Sequence, residues 1–144
     1  MFRLHSLVTA LGTLCVITQA SNGTIDFYEG DKYNGIRYSC TAAFRSQVCY
    51  NLARFDDKTS PMQWHGLLQG GRGNGYSKIA FFTDSNCEGT VRAWPTAEQG
   101  YPLDLGSDGI DDQISAFIIW TSGKDVVAKK SITDKCTSNT QHSS

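Results

Sequence analysis

Hydrophobic and polar positions alternate in short runs through most of the chain. Six runs rich in β-branched and aromatic residues are separated by clusters of Gly, Asn, Asp and Ser. Such runs predict strands, because β-branched and aromatic side chains fit a pleated, half-buried surface. In order they are TIDFYEG, GIRYSC, QVCYNLARF, SKIAFFT, GTVRAW and QISAFIIW. Very little of the chain has the period of an amphipathic helix, so the pattern favours an all-β sandwich.

The chain also repeats its own pattern. FYEGDKYNG at 27–35 and FFTDSNCEG at 81–89 share a register at a spacing of 54 residues. FDDKTS at 55–60 matches IDDQIS at 110–115 at a spacing of 55. Each half therefore begins with a strand and a glycine-containing turn, and ends with Asp-Asp-x-x-Ser before another strand. The repeat predicts a domain built from two similar halves.

The first twenty residues have the pattern of a secretory signal peptide. Arg3 precedes the apolar stretch LVTALGTLCVI, and Thr18 and Ala20 are small residues at the −3 and −1 positions of a cleavage site. A membrane anchor is the alternative, but this stretch is short for a bilayer and is interrupted by Thr and Gly. We therefore expect a secreted protein without a membrane span. Asn22, in the sequon Asn-Gly-Thr, is a candidate glycosylation site.

Secretion changes how the cysteines are interpreted. With Cys15 in the signal peptide, the mature chain keeps Cys40, Cys49, Cys87 and Cys136. An even number in an oxidising compartment predicts two disulfides. We favour Cys40–Cys49 and Cys87–Cys136, since the first pair is close enough in sequence to join neighbouring strands. Zinc is the alternative, but the sequence has no closely spaced CxxC pairs.

Composition and charge narrow the range of functions. The length of 144 residues favours one domain, and 40% hydrophobic residues can form one core. A formal net charge of −1 gives no reason to expect nucleic acid. The sequence contains no GxSxG motif, and His65 and His142 leave little general-base capacity. We therefore expect a protein that is not an enzyme.

Two parts of the sequence resemble the Greek-key motifs of a βγ-crystallin domain. IDFYEGDKYNGIRYSC followed by CYNL resembles the first motif, and KIAFFTDSNCEGTVRAW with IDDQISAFIIW resembles the second. The family pattern places an aromatic-x-Gly corner after the first strand. Tyr33-Asn34-Gly35 fits that corner, whereas Cys87-Glu88-Gly89 has cysteine in place of the aromatic. The resemblance implies an all-β, βγ-crystallin-like sandwich of two Greek-key motifs.

The resemblance covers about residues 24–122 and suggests how the chain is divided. The expected parts are a signal peptide (1–20), the βγ-crystallin-like domain (21–122) and a C-terminal tail (123–144) that Cys136 would tether. Within the domain, the expected parts are motifs at about 24–64 and 78–122 and a glycine-rich linker at 65–77.

The two Asp-Asp-x-x-Ser runs match most of the calcium signature of this family. Calcium takes about 6–8 oxygen ligands, which such runs supply as carboxylates, hydroxyls and carbonyls. The resemblance implies two calcium ions, each reached also by a carbonyl from the first turn of a motif. The implied ligands are Asp56, Asp57, Lys58 and Ser60 in the first run, Asp111, Asp112, Gln113 and Ser115 in the second, and turn residues near Glu29 and Asp84.

Both runs depart from the signature at its last position. Pro61 and Ala116 stand where the family has a serine that links the last strand to the folded hairpin. The second run is the more favourable site, because Lys58 brings a positive charge to the first and Pro61 fixes φ directly after Ser60. The alternative is that both Asp-Asp pairs are turn residues that accept hydrogen bonds from nearby amides.

Two classes of function remain. The first is a secreted, calcium-binding structural or stress protein that acts as a monomer. The second is a secreted toxin, protease inhibitor or host-directed effector that uses the same scaffold against a protein or cell-surface target. Trp64 is expected to be partly exposed, and the other strand aromatics are expected in the core.

Overall fold

Two β-sheets make up the part of the chain that the computed structural model describes, which is residues 20–52, 61–70, 77–97, 101–102, 104–121, 131–135 and 140–143. The strands are β1 (Ala20–Tyr28), β2 (Ile36–Arg45), β3 (Val48–Leu52), β4 (Met62–His65), β5 (Lys78–Asp84), β6 (Glu88–Pro95), β7 (Ala116–Trp120), β8 (Ser131–Lys135) and β9 (Thr140–Ser143). A short 3₁₀ turn, Asp31–Tyr33, lies between β1 and β2.

The strand order shows how the two halves are built. The first sheet has the order β4-β1-β2-β9, and the second has the order β6-β5-β7-β3-β8. A Greek key places its fourth strand beside its first, in the order 4-1-2-3. The neighbours β4-β1-β2 and β7-β5-β6 keep this arrangement in the two halves, while β3 lies in the sheet of the other half. The predicted all-β sandwich of two Greek-key motifs is confirmed.

The chain crosses between the sheets in a tight turn at Ser46 and Gln47. Gln47 adopts a positive φ of 62°, and its amide donates to the carbonyl of Ile119 at 2.8 Å. The Tyr50 hydroxyl accepts a hydrogen bond from the amide of Arg45 at 2.6 Å. Burial raises the pKa of Tyr50 above its usual value. These contacts fix the point at which β3 leaves the first half of the molecule.

The core between the sheets is formed by the inward-facing residues of each strand. Phe27 and Phe44 of the first sheet meet Phe81 and Phe117 of the second, with ring centroids 6.4 Å and 5.5 Å apart. Both pairs are edge to face, the arrangement that aromatic quadrupoles favour. Each such side chain contributes roughly 1.5–3 kcal/mol when it is fully buried. Aromatic packing therefore holds the two halves together.

Trp64 is buried, so the expectation that it would be partly exposed is wrong. Its position in β4, opposite Ile25 of β1, places the indole on the inner face of the first sheet. There it packs against Phe81 at 6.1 Å, and its Nε1 donates to the carbonyl of Thr96 at 3.1 Å. The indole N–H thus has a partner inside the protein.

The second sheet is also apolar on its outer face. A second buried cluster contains Cys49, Ala80, Phe82, Cys87, Ala116 and Ile118. Strand β7 therefore buries residues on both of its faces. This explains why its sequence, AFIIW, is a continuous apolar run and does not alternate with polar residues.

The ends of the predicted linker are packed onto the sandwich. Leu67 is buried and lies against Gly23, where a Cβ would come within 2.6 Å of the leucine side chain. The Ser77 hydroxyl donates to the carbonyl of Gly70 at 2.8 Å. Residues 71–76, which hold most of the glycines, lie outside the described ranges.

The segment after residue 122 adds one strand to each sheet. Strand β8 pairs in parallel with β3, from Val48 opposite Ser131 to Leu52 opposite Lys135. Strand β9 pairs antiparallel with β2. The predicted tail thus contributes backbone pairing to both halves of the sandwich.

The N-terminal predictions fall mostly beyond the described residues. Of the predicted signal peptide only Ala20 is described, as the first residue of β1. Asn22 of the predicted glycosylation sequon is exposed on β1, and the Thr24 hydroxyl shares a hydrogen bond with Thr41 at 2.8 Å. In the ranges that the structure covers, no helix is long and apolar enough to span a bilayer.

Candidate functional site

The first hairpin, residues 28–37, connects β1 to β2 through a corner that has positive φ at three positions. These are Lys32 at 54°, Tyr33 at 62° and Gly35 at 88°. The Tyr33 ring packs edge to face on Tyr28, with centroids 5.4 Å apart. An aromatic side chain thus covers the corner, as the aromatic-x-Gly pattern predicts.

The second hairpin, residues 82–91, connects β5 to β6 with the same backbone. Positive φ values occur at Asn86 (62°), Cys87 (56°) and Gly89 (75°), each 54 residues after its counterpart in the first hairpin. Cys87 stands where the first hairpin has Tyr33, and it forms a disulfide with Cys49 of β3. A covalent bond therefore occupies the place of the aromatic ring.

The predicted disulfide pairs Cys40–Cys49 and Cys87–Cys136 are wrong, because Cys49 is bonded to Cys87. Successive side chains of a strand point to opposite faces. Cys49 points to the outer face of the second sheet, whereas Cys40 lies in the core on β2 of the first sheet. Cys40 is itself disulfide-bonded, to a partner outside the described residues. Cys136 also lies outside them.

The Cys49–Cys87 bond passes over β7, which lies between β3 and β5 in the second sheet. Its Cα atoms are 6.0 Å apart, and the Cys87 Sγ lies 3.6 Å from the carbonyl oxygen of Phe117 in β7. The Asn51 and Asn86 residues form two further hydrogen bonds beside the disulfide. The amide N–H of Asn86 donates to Asn51 Oδ1 at 2.7 Å, and Asn51 Nδ2 donates to Asn86 Oδ1 at 3.1 Å. The corner of the second hairpin is thus tied to β3 twice.

The acidic loop, residues 110–115, leads into β7. Ile110 and Ile114 are buried, and the amide of Gln113 donates to the carbonyl of Ile110 at 3.3 Å. Asp111 is half-buried, while Asp112 is exposed and has a positive φ of 51°. The two apolar residues hold the loop to the core, and the turn between them carries the adjacent carboxylates.

Ser115 attaches the acidic loop to its neighbours on both sides. Its amide donates to the carbonyl of Phe82 at 2.9 Å, and its carbonyl accepts from the amide of Leu52 at 2.9 Å. Its hydroxyl donates to the carbonyl of Thr83 at 2.7 Å. The calcium signature places the linking serine at the next position, where this chain has the buried Ala116. Ser115 provides the link instead, with a hydroxyl that was expected to face a metal ion.

The other predicted ligands are divided between the two hairpins. Glu29 begins the turn of the first hairpin, and its Oε1 accepts a hydrogen bond from the Tyr38 hydroxyl at 2.5 Å. Asp84 is exposed at the start of the second turn, directly after the residue that holds Ser115. Among the described residues, no three His, Cys, Asp or Glu side chains form a group that could hold a metal. The first acidic run, Asp56, Asp57, Lys58 and Ser60, lies outside the described ranges.

Asp104 has a structural role that sequence analysis missed. Its carboxylate accepts hydrogen bonds from the Ser107 hydroxyl at 2.7 Å, and from the amides of Ser107 at 3.3 Å and Gly106 at 2.9 Å. These bonds lower the pKa of Asp104 below its usual value. The signal in the sequence was Asp-Leu-Gly-Ser, because an Asp side chain commonly accepts bonds from amides two or three residues later.

Comparison with known proteins gives one likeness to report. No family model and no curated protein matches the sequence. Among solved structures, the chain is similar to one described as "Evolution of the eye lens beta-gamma-crystallin domain fold". The identity is 17%, the match covers 76% of this chain and 95% of that chain, and the TM-score is 0.46.

The protein is an all-β sandwich of two Greek-key motifs, the fold that the sequence resemblance to βγ-crystallin domains implies. Its two halves have matching hairpins, and β3 of the first half lies in the sheet of the second half. The fold does not fix the function, which has to be argued from particular residues.

Proposed function

We propose that the protein is a secreted, disulfide-bonded, non-enzymatic module that binds calcium at the acidic loop and is stabilised by it. The observation that carries the proposal is the bond from the Ser115 hydroxyl to the carbonyl of Thr83. This bond holds a loop with two adjacent carboxylates against the turn of the second hairpin. A site held in place before the ion arrives costs less ordering when the ion binds.

The acidic loop offers oxygen ligands, which are the kind that calcium prefers. Asp111 and Asp112 supply carboxylates whose mutual repulsion a divalent cation would offset. Gln113 supplies a backbone carbonyl, and Ser115 keeps lone pairs on its oxygen while it donates its hydrogen. Asp84 follows Thr83 on the hairpin side. An oxygen-only set suits a hard cation such as calcium better than zinc.

A second ion is proposed at the matching run of the first half. Asp56, Asp57, Lys58 and Ser60 repeat the acidic loop at a spacing of 55 residues, and Glu29 lies in the first hairpin as Asp84 lies beside the second. This part of the proposal is supported by the internal repeat alone. We expect the second ion to bind more weakly, because Lys58 opposes it.

Secretion is supported by the signal pattern at 1–20 and by the chemistry of the cysteines. Disulfides persist in oxidising compartments and are rare in reducing ones. The Cys49–Cys87 bond is compatible with export to the cell exterior. We therefore propose that the domain works outside the cell, where free calcium is abundant.

Calcium binding is tested by thermal unfolding of the metal-free protein with added calcium or magnesium. Calcium that binds only the folded form should add about 1.4 kcal/mol at a free concentration ten times the dissociation constant. Magnesium should add less, because it demands stricter geometry and gives up its water reluctantly. An unchanged melting temperature in millimolar calcium would refute the proposal.

Asp112→Asn is the informative variant for this test. Asparagine tolerates positive φ as aspartate does, so the backbone is kept while one carboxylate is lost. We expect most of the calcium-induced shift to disappear. Glu88→Gln makes the same change of charge on exposed β6 and should keep the full shift. Equal losses in the two variants would point to nonspecific attraction of cations to an acidic protein.

A second function, as a scaffold for a toxin, inhibitor or effector, is favoured by strand β6. This strand lies at one end of the second sheet as described, and most of its side chains are exposed. An edge strand can bind an extended peptide by adding it to the sheet. The test is to add the purified protein to target cells and proteases, with and without a chelator. Activity that persists without calcium would favour this function over the first.

A further inference from the structure

The anchor of the acidic loop and the Cys49–Cys87 disulfide act on the same three strands. Ser115 bonds to Leu52 of β3 on one side and to Phe82 and Thr83 of β5 on the other. The disulfide runs from Cys49 of β3 to the turn that follows β5. Both connections therefore fix the spacing of β3 and β5 around the start of β7.

The disulfide lies close to the anchor along each strand. Cys49 is three residues before Leu52, and Cys87 is four residues after Thr83. On the sheet, Cys49 is opposite Ile118, which is three residues after Ser115. The sulfur atoms cross over Phe117, between the anchor and the middle of β7. A movement of the second hairpin away from β3 would stretch the bonds of Ser115 directly.

The second hairpin depends more than the first on a bond to another part of the protein. Both corners place residues other than glycine at positive φ, which L-amino acids disfavour. Tyr33 covers the first corner from within its own hairpin. Cys87 has no ring to do this, and its side chain instead reaches across β7 to another strand. Breaking that bond leaves the Asn51–Asn86 pair as the described tie between the second corner and β3.

We infer that the Cys49–Cys87 disulfide is a redox-dependent latch that sets the geometry of the acidic loop. The identity of the ion that the acidic loop would bind rests on the calcium binding proposed above. Both cysteines are buried in the folded protein, so the latch closes during folding, when the two thiols exchange with another disulfide. One S–S bond forms between Cys49 and Cys87, and the partner disulfide takes the two hydrogens and two electrons to become two thiols. A chain that folds in an oxidising compartment then has its acidic loop set for calcium, whereas a chain that folds in a reducing compartment has a looser one.

The first measurement is amide hydrogen exchange of the calcium-free protein, because it reports on the latch without any ligand. The variant Cys49→Ala/Cys87→Ala removes the bond and leaves Cys40 untouched. We expect amides of residues 113–118 and of the second hairpin to exchange at least tenfold faster than in the natural protein. Amides of the first hairpin should change much less, because its corner is held by Tyr33.

The second measurement is calcium affinity by calorimetry, well below the melting temperature of every variant. We expect the double alanine variant to bind calcium at least tenfold more weakly. Tyr33→Ala is the matched control, because it weakens the equivalent corner and should leave affinity at the acidic loop unchanged. Cys49→Ala/Cys87→Tyr places an aromatic ring over Phe82, as Tyr33 lies over Tyr28, and should recover part of the lost affinity. If the double alanine variant does not fold, calcium affinity is measured on Cys49→Ala/Cys87→Tyr in its place.

The outcomes separate this inference from the proposed function. If the natural protein binds calcium and the unlatched variants bind it equally well, the latch is wrong and the calcium proposal stands. If the natural protein binds no calcium, the proposed function is wrong. The role of the disulfide is then tested by hydrogen exchange alone. Exchange that rises equally in both hairpins would then overturn it, because it would show a general loss of stability.

Discussion

The two hairpins turn with the same backbone and are held by different chemistry. Three positions have positive φ in each, from 54° to 88° in the first and from 56° to 75° in the second. Tyr33 packs on Tyr28 in the first hairpin, whereas Cys87 bonds to Cys49 in the second. The comparison shows that the turn geometry does not depend on one kind of side chain. The turn needs glycine at one position and a stabilising contact or bond at the residue two places earlier.

The two kinds of hold differ in their reach. Tyr28 and Tyr33 belong to the same hairpin, so their contact stabilises that hairpin locally. The disulfide joins the second hairpin to β3, a strand that comes from the first half of the chain. The second corner therefore depends on the assembly of both halves, while the first does not.

The largest effect should come from removing the disulfide. Cys49→Ala/Cys87→Ala opens a bond between residues 38 apart in sequence, and we expect a loss of about 3–4 kcal/mol in the free energy of unfolding. Denaturation in urea measures it, with an unchanged slope showing that the same surface is exposed. A loss below that of Tyr33→Ala would contradict the view that the second corner has the stronger hold.

The two corner glycines give the next largest contrast. Both have positive φ, so alanine is strained at either, by about 1 kcal/mol or somewhat more. At Gly35 a Cβ would only touch Gly30, at 3.4 Å. At Gly89 a Cβ would come within 2.7 Å of the Asp84 carboxylate and would also crowd Thr83. We expect Gly89→Ala to cost about 3 kcal/mol and Gly35→Ala about 1 kcal/mol, because overpacking adds to the strain.

The glycine comparison has a clear contrary outcome. Equal melting temperatures for Gly35→Ala and Gly89→Ala would mean that the side chains of Thr83 and Asp84 move aside freely. In that case the second turn would be looser than its contacts indicate.

The aromatic corner should contribute less than the disulfide. Tyr33→Ala removes an edge-to-face pair, and we expect a loss of about 1–1.5 kcal/mol. Tyr33→Leu keeps apolar volume without the ring and should lie between the natural protein and the alanine variant. Urea denaturation measures both, and a loss in Tyr33→Leu as large as in Tyr33→Ala would show that only the aromatic pair matters.

The smallest effect concerns the turn that precedes the acidic loop. The stability of this turn depends on the charge of the Asp104 carboxylate. Hydrogen bonds from Ser107 and Gly106 lower the pKa of Asp104 in the folded protein, so the carboxylate stabilises the fold above its unfolded pKa. That stability is lost as the pH falls below 3.8 and through the lowered folded value. Asp104→Ala should therefore melt slightly earlier at neutral pH and no earlier at strongly acidic pH. Asp108→Ala controls for the loss of a negative charge in the same turn.

The sequence contained most of the fold because the signals for it are local. Apolar runs mark β1, β2, β3, β5, β6 and β7, and glycines two places after Tyr33 and Cys87 mark both corners. Strand β4 is indicated only by the repeated Asp-Asp-x-x-Ser run that precedes it. Strands β8 and β9 were missed because SITDK and TQHS have no apolar alternation. They form strands by pairing with β3 and β2, which lie far away in sequence.

The Cys49–Cys87 disulfide could not be predicted, because it joins β3, a strand from the first half of the chain, to the second hairpin, and the two meet only in the folded second sheet. Closeness in sequence favoured Cys40 with Cys49, but the crossing at Ser46 and Gln47 sends β3 into the other half of the molecule. The Cys87-x-Gly departure from the aromatic pattern was visible in the sequence. It marked the position where a different bond holds the corner, although it did not identify Cys49 as the partner.

The parallel pairing of β8 with β3 and the pairing of β9 with β2 have a consequence for biosynthesis. Ser131 lies opposite Val48, and Ser143 lies opposite Ile36, so in each sheet the described strand that is synthesised last pairs with a strand from the first half of the chain. Contacts this distant in sequence close late and slow the folding of the chain. Neither sheet as described is complete until β8 and β9 have left the ribosome, so a chain exported during its synthesis would cross the membrane before these strands have paired.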